Sequence, residues 1–274
     1  MAAASPLTAH PLPDPPPPLE NRVWRRIASF PASLDDLSAL LANAEGRDRC
    51  VGLVQDILLL ASGGEPGALT KLGLGLLHAR RPFRAHKPME CLLPLLRSSG
   101  RSRRGPKGVG VLHALGTIRA VAYAVNAGAD QLVWAGHVGV LRRDTALMRW
   151  ANGMCLGGWC VGAGAAAAAK APELAAILRS LAQLAQDAKT HGVNAGVYAQ
   201  RRTALEEKLT RACLDVFSGC AQALVALGLL GAIPLEKRSL SALGVCMALA
   251  GMYQVLLTLP APANTPAGKG QKGA

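Results

Sequence analysis

Three apolar stretches without a single charged residue, 151–169, 216–235 and 240–259, constrain this 274-residue chain more than any other feature. Each has the length a helix needs to cross the hydrocarbon of a bilayer. The first, bounded by Arg149 and Lys170, reaches about 28 Å at the rise of an α-helix. It is built mostly of Ala and Gly, and the pairs Gly153/Gly157 and Gly158/Gly162 give the small-residue spacing of closely packed membrane helices. Trp150 and Trp159 are expected towards an interface. Only Pro234 and the charged trio Glu236, Lys237 and Arg238 interrupt the last two stretches, so these read as a helical hairpin in or on a membrane. Two buried helices of a soluble bundle fit the same residues.

Composition weighs towards the membrane. Charged residues make up 17% of the chain and mean hydropathy is +0.24, yet the net charge is +13 and the pI about 9.9. Low charge with high hydrophobicity favours burial in lipid, and the surplus of Lys and Arg favours an anionic partner, either lipid headgroups or nucleic acid. Thirty glycines beside 4% aromatics suit close helix packing better than a ring-lined pocket. Seven cysteines with no Cys-x-x-Cys pair are not a secreted disulfide framework; a reducing compartment or burial in lipid fits them.

The predicted fold class is all-α: a membrane-associated helical protein with N-terminal amphipathic helices and C-terminal hydrophobic helical segments. Residues 1–32 read as a disordered Pro-rich tail, with Pro15 to Pro18 consecutive and no apolar core of a secretory signal. Residues 33–108 form an amphipathic membrane-binding region with a basic loop, 109–259 a hydrophobic helical membrane region, and 260–274 a second disordered tail. In the first region Ser33 and Asp36 make a capping box ahead of Leu34, Leu37 and Leu41. The apolar pattern resumes after Gly46 with Cys50, Val51, Val54, Ile57 and Leu58, and Gly63-Gly64 ends it. The cluster Gly46, Arg47, Asp48 and Arg49 between the two halves reads as a helix–helix joint with local ion pairs.

Residues 71–97 mix leucines with cations and hold one acidic residue, Glu90. Such a basic amphipathic stretch suits either an anionic membrane surface or the outside of a globular core. On the membrane reading, Lys71, Arg80, Arg81, Arg84 and Lys87 meet headgroups, and Leu72, Leu76, Phe83, Leu92, Leu95 and Leu96 meet acyl chains. Pro82, Pro88 and Pro94 predict two or three short pieces in place of one rod. The loop at 98–108 carries Arg101, Arg103, Arg104 and Lys107 but no aromatic to stack on a base, so it reads as a solvated linker, not a nucleic-acid site. Residues 109–141 read as a long helix or helical pair, and Pro172 opens a soluble-looking helical segment that Gly192 and Gly196 interrupt.

No His-Glu-x-x-His, Gly-x-Ser-x-Gly or phosphate-binding loop is present, and the six His residues are scattered. No nucleophile–base pair or metal set can be named. The chain is therefore read as non-enzymatic, with no cofactor and no metal.

Four ordered runs resemble the peroxin-eleven family of peroxisomal membrane-proliferation proteins, most closely its gamma-type branch. They are 34–64 with Gly46, Arg47, Asp48 and Arg49; 80–97 with Phe83-Arg84 and Lys87-Pro88-Met89-Glu90; 130–141 with Asp130 and Trp134; and 215–254 with Asp215 and Tyr253. The chain departs from the family pattern at Pro82 and Pro94, at Asp56 where an aromatic is usual, and at Gln131 where His is usual. The resemblance implies an integral peroxisomal membrane protein with cytosolic termini that self-associates as a homo-oligomer. It further implies insertion of an amphipathic helix into an anionic phospholipid leaflet, and elongation of the organelle before fission by a dynamin-related GTPase and its adaptor. A metabolite pore in the same membrane, lined by Asp130 and Arg119, is the alternative.

Overall fold

The computed structural model describes residues 34–98, 109–191 and 195–258. Both expected tails, Ser33 of the capping box and nearly all of the basic loop lie outside the described residues. Among those described there is no strand. The order is α1 (Leu34–Ala42), α2 (Ala44–Ala61), α3 (Ala68–Arg80), a 3-10 turn (Pro82–Arg84), α4 (Lys87–Ser98), α5 (Val109–His137), α6 (Ala146–His191), α7 (Ala195–Leu229) and α8 (Lys237–Thr258).

Helix α6 is the spine. It packs extensively on α5 along one side and on α7 along another, while α8 bridges α7 and α2; α3 lies on α2, and α4 on α5. Large side chains do not fill a common centre. The apolar core is instead a set of small clusters: Leu40 with Met252 and Val255, Val133 with Met148 and Ala151, Ile177 with Leu209 and Ala212, and Leu214 with Ala250 and Tyr253.

What brings the helices together between these clusters is the absence of side chains. A Cβ on Gly158 would stand 2.7 Å from the carbonyl oxygen of Ala122, and one on Gly162 would stand 2.9 Å from the Tyr123 ring. A Cβ on Gly219 of α7 would approach the Ala163 carbonyl oxygen to 2.9 Å. Backbones this close gain dispersion contact that longer residues would forbid. One of the two small-residue pairs therefore has a partner helix, whereas Gly153 and Gly157 face open space. Trp159, expected towards an interface, is half-buried. It turns inward, and its Nε1–H donates to Gln222 Oε1 at 3.1 Å, an oxygen that also accepts from the Tyr123 hydroxyl at 3.2 Å. Trp150 is exposed.

Proline was a partial guide to the helix ends. Pro82 opens the 3-10 turn, and Pro88 occupies the first turn of α4, where the missing N–H leaves no bond unmade. The 71–97 stretch is accordingly three pieces. Pro94, however, lies inside α4, and Pro172 lies inside α6, which runs unbroken from Ala146 to His191. Ion pairs straddle Pro172: Lys170 Nζ stands 2.9 Å from Glu173 and 3.1 Å from Asp215 of α7. At about 69 Å, α6 is more than twice a hydrocarbon thickness. Its charge-free part ends at Lys170, and beyond that α6 and α7 continue as a charged hairpin held by the Ile177–Leu209–Ala212 cluster.

The asymmetry between neighbouring glycines makes a direct test. Gly158→Val should destabilise the protein by at least about 2 kcal/mol by forcing α5 and α6 apart. Gly157→Ala, next to it but facing open space, should be neutral or gain up to about 1 kcal/mol of helix propensity. Thermal unfolding in detergent, followed by helical circular dichroism, compares the two.

Candidate functional site: an arginine elbow

The turn between α3 and α4 carries three arginines within five residues, and all three face inward. Arg80 lies against α2 over Gly52, where a Cβ would stand 2.7 Å from its guanidinium. Its Nε and Nη2 donate to the two oxygens of Asp48 at 2.9 and 3.0 Å, and Nη1 donates to Gln55 Oε1 at 3.0 Å. Arg84 donates to the same carboxylate, through Nε to Oδ1 at 3.1 Å and through Nη2 to Oδ2. One carboxylate thus binds two guanidinium forks. Burial pushes the Asp48 carboxyl up, but the hydrogen bonds and charges of Arg80 and Arg84 outweigh it and hold the group at about 2.

Arg81 points the other way, into α5. Its Nε lies 2.9 Å from Asp130 Oδ1, close enough for an ion pair but without the alignment of a directed hydrogen bond. The side-chain amide of Gln131 donates to the Arg81 carbonyl at 3.1 Å. Above this contact the rings of His78 and His137 stand 3.9 Å apart. Burial, then the charges of His137, Arg81 and Arg143, depress His78 to about 4, so the imidazole is neutral at physiological pH. The elbow is therefore a two-sided fastener: Arg80 and Arg84 tie it to Asp48 of α2, and Arg81 ties it to Asp130 of α5.

Three of the sequence runs singled out above meet here, and each residue of the Gly46–Arg49 cluster has a separate task. The helix break falls at Asn43, whose side chain caps α2 by accepting from the Glu45 and Gly46 amides. Gly46 lets the last turn of α1 close in, since a Cβ there would run into the Leu40 carbonyl. Arg47 donates to the carbonyls of Leu41 and Ala42, capping α1. Arg49 pairs with Glu45 at 3.3 Å and lies across Gly251 of α8. Only the Arg49 pair is the local contact expected of the cluster; Asp48 reaches more than thirty residues along the chain.

The fourth run is separate. Asp215 accepts from the Gln254 side chain of α8 at 2.8 Å and pairs with Lys170 of α6, joining three helices. Tyr253 is buried beside Leu214 and Ala250, and Trp134 is half-buried on α5. Of the residues expected at headgroups, Lys71 is exposed and Lys87, half-exposed, pairs with Glu90 at 2.9 Å; Arg80, Arg81 and Arg84 are committed inside. Of the apolar set, Leu72 (56% exposed) and Leu96 (64% exposed) face out, and Leu76, Leu92 and Leu95 are half-buried. The side chain of Phe83 lies outside the described residues. Arg119 is exposed, while Asp130 is largely closed off by Arg81.

Residues 34–256 match the family model of peroxisomal biogenesis factor 11 (PEX11). The chain belongs to the PEX11 family. No curated protein and no solved structure matches it. The matched span opens at α1 and closes in α8, so both the elbow and the Asp215 node fall inside it. PEX11 is a family of peroxisome biogenesis factors and not of enzymes. Three helices long and apolar enough to cross a membrane, 146–188, 196–229 and 237–256, accord with a peroxisomal membrane protein.

Sequence reasoning missed Gln55, which completes the elbow from α2, because a lone glutamine carries no spacing signal, and it noted Gln131, which completes it from α5, only as a departure from the family pattern. It also noted Asp56 only as an oddity. That carboxylate lies half-buried against Gly244 of α8 and accepts from Gln55 Nε2 at 3.2 Å. Burial raises it to about 6, against the opposing charge of Arg80 and the Gln55 hydrogen bond.

Two stability measurements follow. Asp48→Ala, which strands two guanidiniums, should cost about 3 kcal/mol, and a cycle with Arg80→Met should recover part of that loss. Asp56 has the opposite sign. With its folded pKa above the ordinary aspartate value of 3.8, its proton stabilises the fold below that value, and this contribution fades as pH rises through about 6. Asp56→Asn should therefore stabilise by about 1–2 kcal/mol at pH 7.5 and show no advantage near pH 4.

Proposed function

We propose that this PEX11 protein elongates and proliferates peroxisomes ahead of fission, by laying the α3–α4 arm into the cytosolic leaflet and clustering through self-association. The supporting observation is the outward face of the arm. Leu69, Leu72 and Leu74 of α3 and Met89 and Leu96 of α4 are exposed, with Lys71 exposed and Lys87 half-exposed beside them. Apolar side chains flanked by cations are what an anionic leaflet accepts, and their volume expands one leaflet relative to the other. Many copies add their small wedges into curvature. The dynamin-related GTPase and its adaptor then act on the narrowed tubule.

The apolar helices α6, α7 and α8 anchor the protein. Helix α5 packs beside them. It lies against the charge-free part of α6 at Gly158 and Gly162, and presents Val111, Leu112, Ile118 and Val121 outward.

The full-length protein, reconstituted with vesicles containing anionic phospholipid, should draw tubules from them. Leu72→Glu with Leu96→Glu removes two apolar contacts of roughly 2 kcal/mol each and should abolish tubulation while leaving helical content unchanged. Tubulation at wild-type level by this variant would rule out the arm as the wedge. Carbonate extraction of the protein from peroxisomes tests the anchor, since release into the soluble fraction is incompatible with it.

A further inference from the structure

The arm that the proposed function asks to meet an anionic surface has its strongest cations turned away from it. Arg80 and Arg84 are held by Asp48, and Arg81 by Asp130, with guanidinium side chains 12–33% exposed. We propose that the elbow is an autoinhibitory clasp, closed by these carboxylates in the free protein and opened by the phosphate groups of an anionic lipid surface, which compete for the same three arginines.

Four features of the molecule support a two-state element at this place. The elbow is a 3-10 turn between two short helices, flanked by Pro82 and ending at Ala85, so the arm is jointed there and not continuous with a long helix. Its fasteners reach two different partners, α2 and α5, so opening frees the end of α3 and the start of α4 together. The contacts are charge to charge, with guanidinium forks whose geometry fits a phosphate as well as a carboxylate. At the Arg81 fastener the ion pair lacks hydrogen-bond alignment, leaving the weaker side of the clasp facing Asp130.

The bias available from the surface is comparable with what the Asp48 contacts contribute. Opening releases three cations, and each cation brought to an anionic leaflet gains roughly a fivefold preference, so three together shift the equilibrium roughly a hundredfold. A soluble phosphate supplies the same chemistry one group at a time. It lacks the array of headgroups and the acyl phase that receives Leu72 and Leu96. The clasp therefore distinguishes a surface from a solute.

This inference rests on the proposed membrane action of the arm, and the test separates the two. His78 and His137 stand ring to ring in the closed state, so pyrene labels at Ala79→Cys and Val138→Cys, in a full-length chain whose native cysteines are replaced by serine, report closure as excimer emission. Vesicles of phosphatidylcholine with 30% phosphatidylserine should lower the excimer-to-monomer ratio at least about tenfold in the pelleted protein. Phosphatidylcholine alone and inorganic phosphate at matched charge should leave it unchanged, and Asp48→Asn with Asp130→Asn should lower it without any lipid. If that variant loses helical circular dichroism, Arg84→Gln replaces it, with the same expectation at a smaller amplitude. Protein that pellets with anionic vesicles while the excimer persists overturns the clasp and leaves surface binding standing. An equal fall on neutral vesicles overturns headgroup competition, and a fall with inorganic phosphate overturns the need for a surface. Failure to pellet on anionic vesicles overturns the membrane action of the arm itself.

Discussion

A carboxylate shared between two guanidiniums carries the N-terminal half of this protein. Without Asp48, α3 and α4 would have little to hold them in place. Their leucines are split between inner and outer faces, and the described clusters of buried residues include none from either helix. Arg80 and Arg84 supply the missing attachment through directed bonds, and Arg81 extends it to α5. The arm is thus fastened electrostatically to a body that is otherwise held by backbone proximity and small apolar contacts. Fastenings of that kind are specific in geometry and respond to ionic conditions, whereas apolar packing is neither.

The same economy explains how a chain with net charge +13 remains compact. Acidic residues are few, and several stand where one of them serves more than one helix. Asp48 joins α2 to the elbow, Asp130 joins α5 to it, and Asp215 joins α7 to α6 and α8. Surplus positive charge is left for the surface, where the proposed action on an anionic leaflet would use it.

Much of this was legible in the sequence, and what was not has physical causes. Helical class, the three apolar stretches, the end at Gly63-Gly64 and the jointed 71–97 region follow from hydropathy, charge spacing and proline. The Pro172 boundary did not, because proline removes one hydrogen bond and tertiary contacts around Lys170 and Asp215 hold the helix through it. The elbow was half legible. Asp48, Asp130 and the arginines were all singled out, but as separate signatures, the arginines as headgroup ligands. Periodicity reports which face of a helix is polar; it does not report whether a cation on that face meets water, lipid or a carboxylate thirty residues away. Gly158 and Gly153 look alike in sequence for the same reason, and only the placement of α5 tells the covered glycine from the open one.

The Asp215 node fixes a level across the apolar helices. Lys170 ends the charge-free stretch of α6, Asp215 begins that of α7, and Gln254 stands near the end of α8, yet all three meet at one carboxylate. From this level, α6 runs charge-free for about 28 Å to Ala151 and α7 for about 21 Å to its end at Leu229, while α8 runs back about 26 Å to Lys237. Three helices with independent sequences thus share a polar plane, with lengths of about 21 to 28 Å beyond it against about 30 Å for a hydrocarbon core. Between the ends, Gln222 of α7 accepts from Tyr123 of α5 and Trp159 of α6 and donates to Ser218 of its own helix. In a soluble bundle nothing would require the three helices to share a polar level, although buried polar side chains there must also find partners. A bilayer imposes such a level, so the Asp215 node accords with the proposed insertion alongside the hydropathy of the three helices.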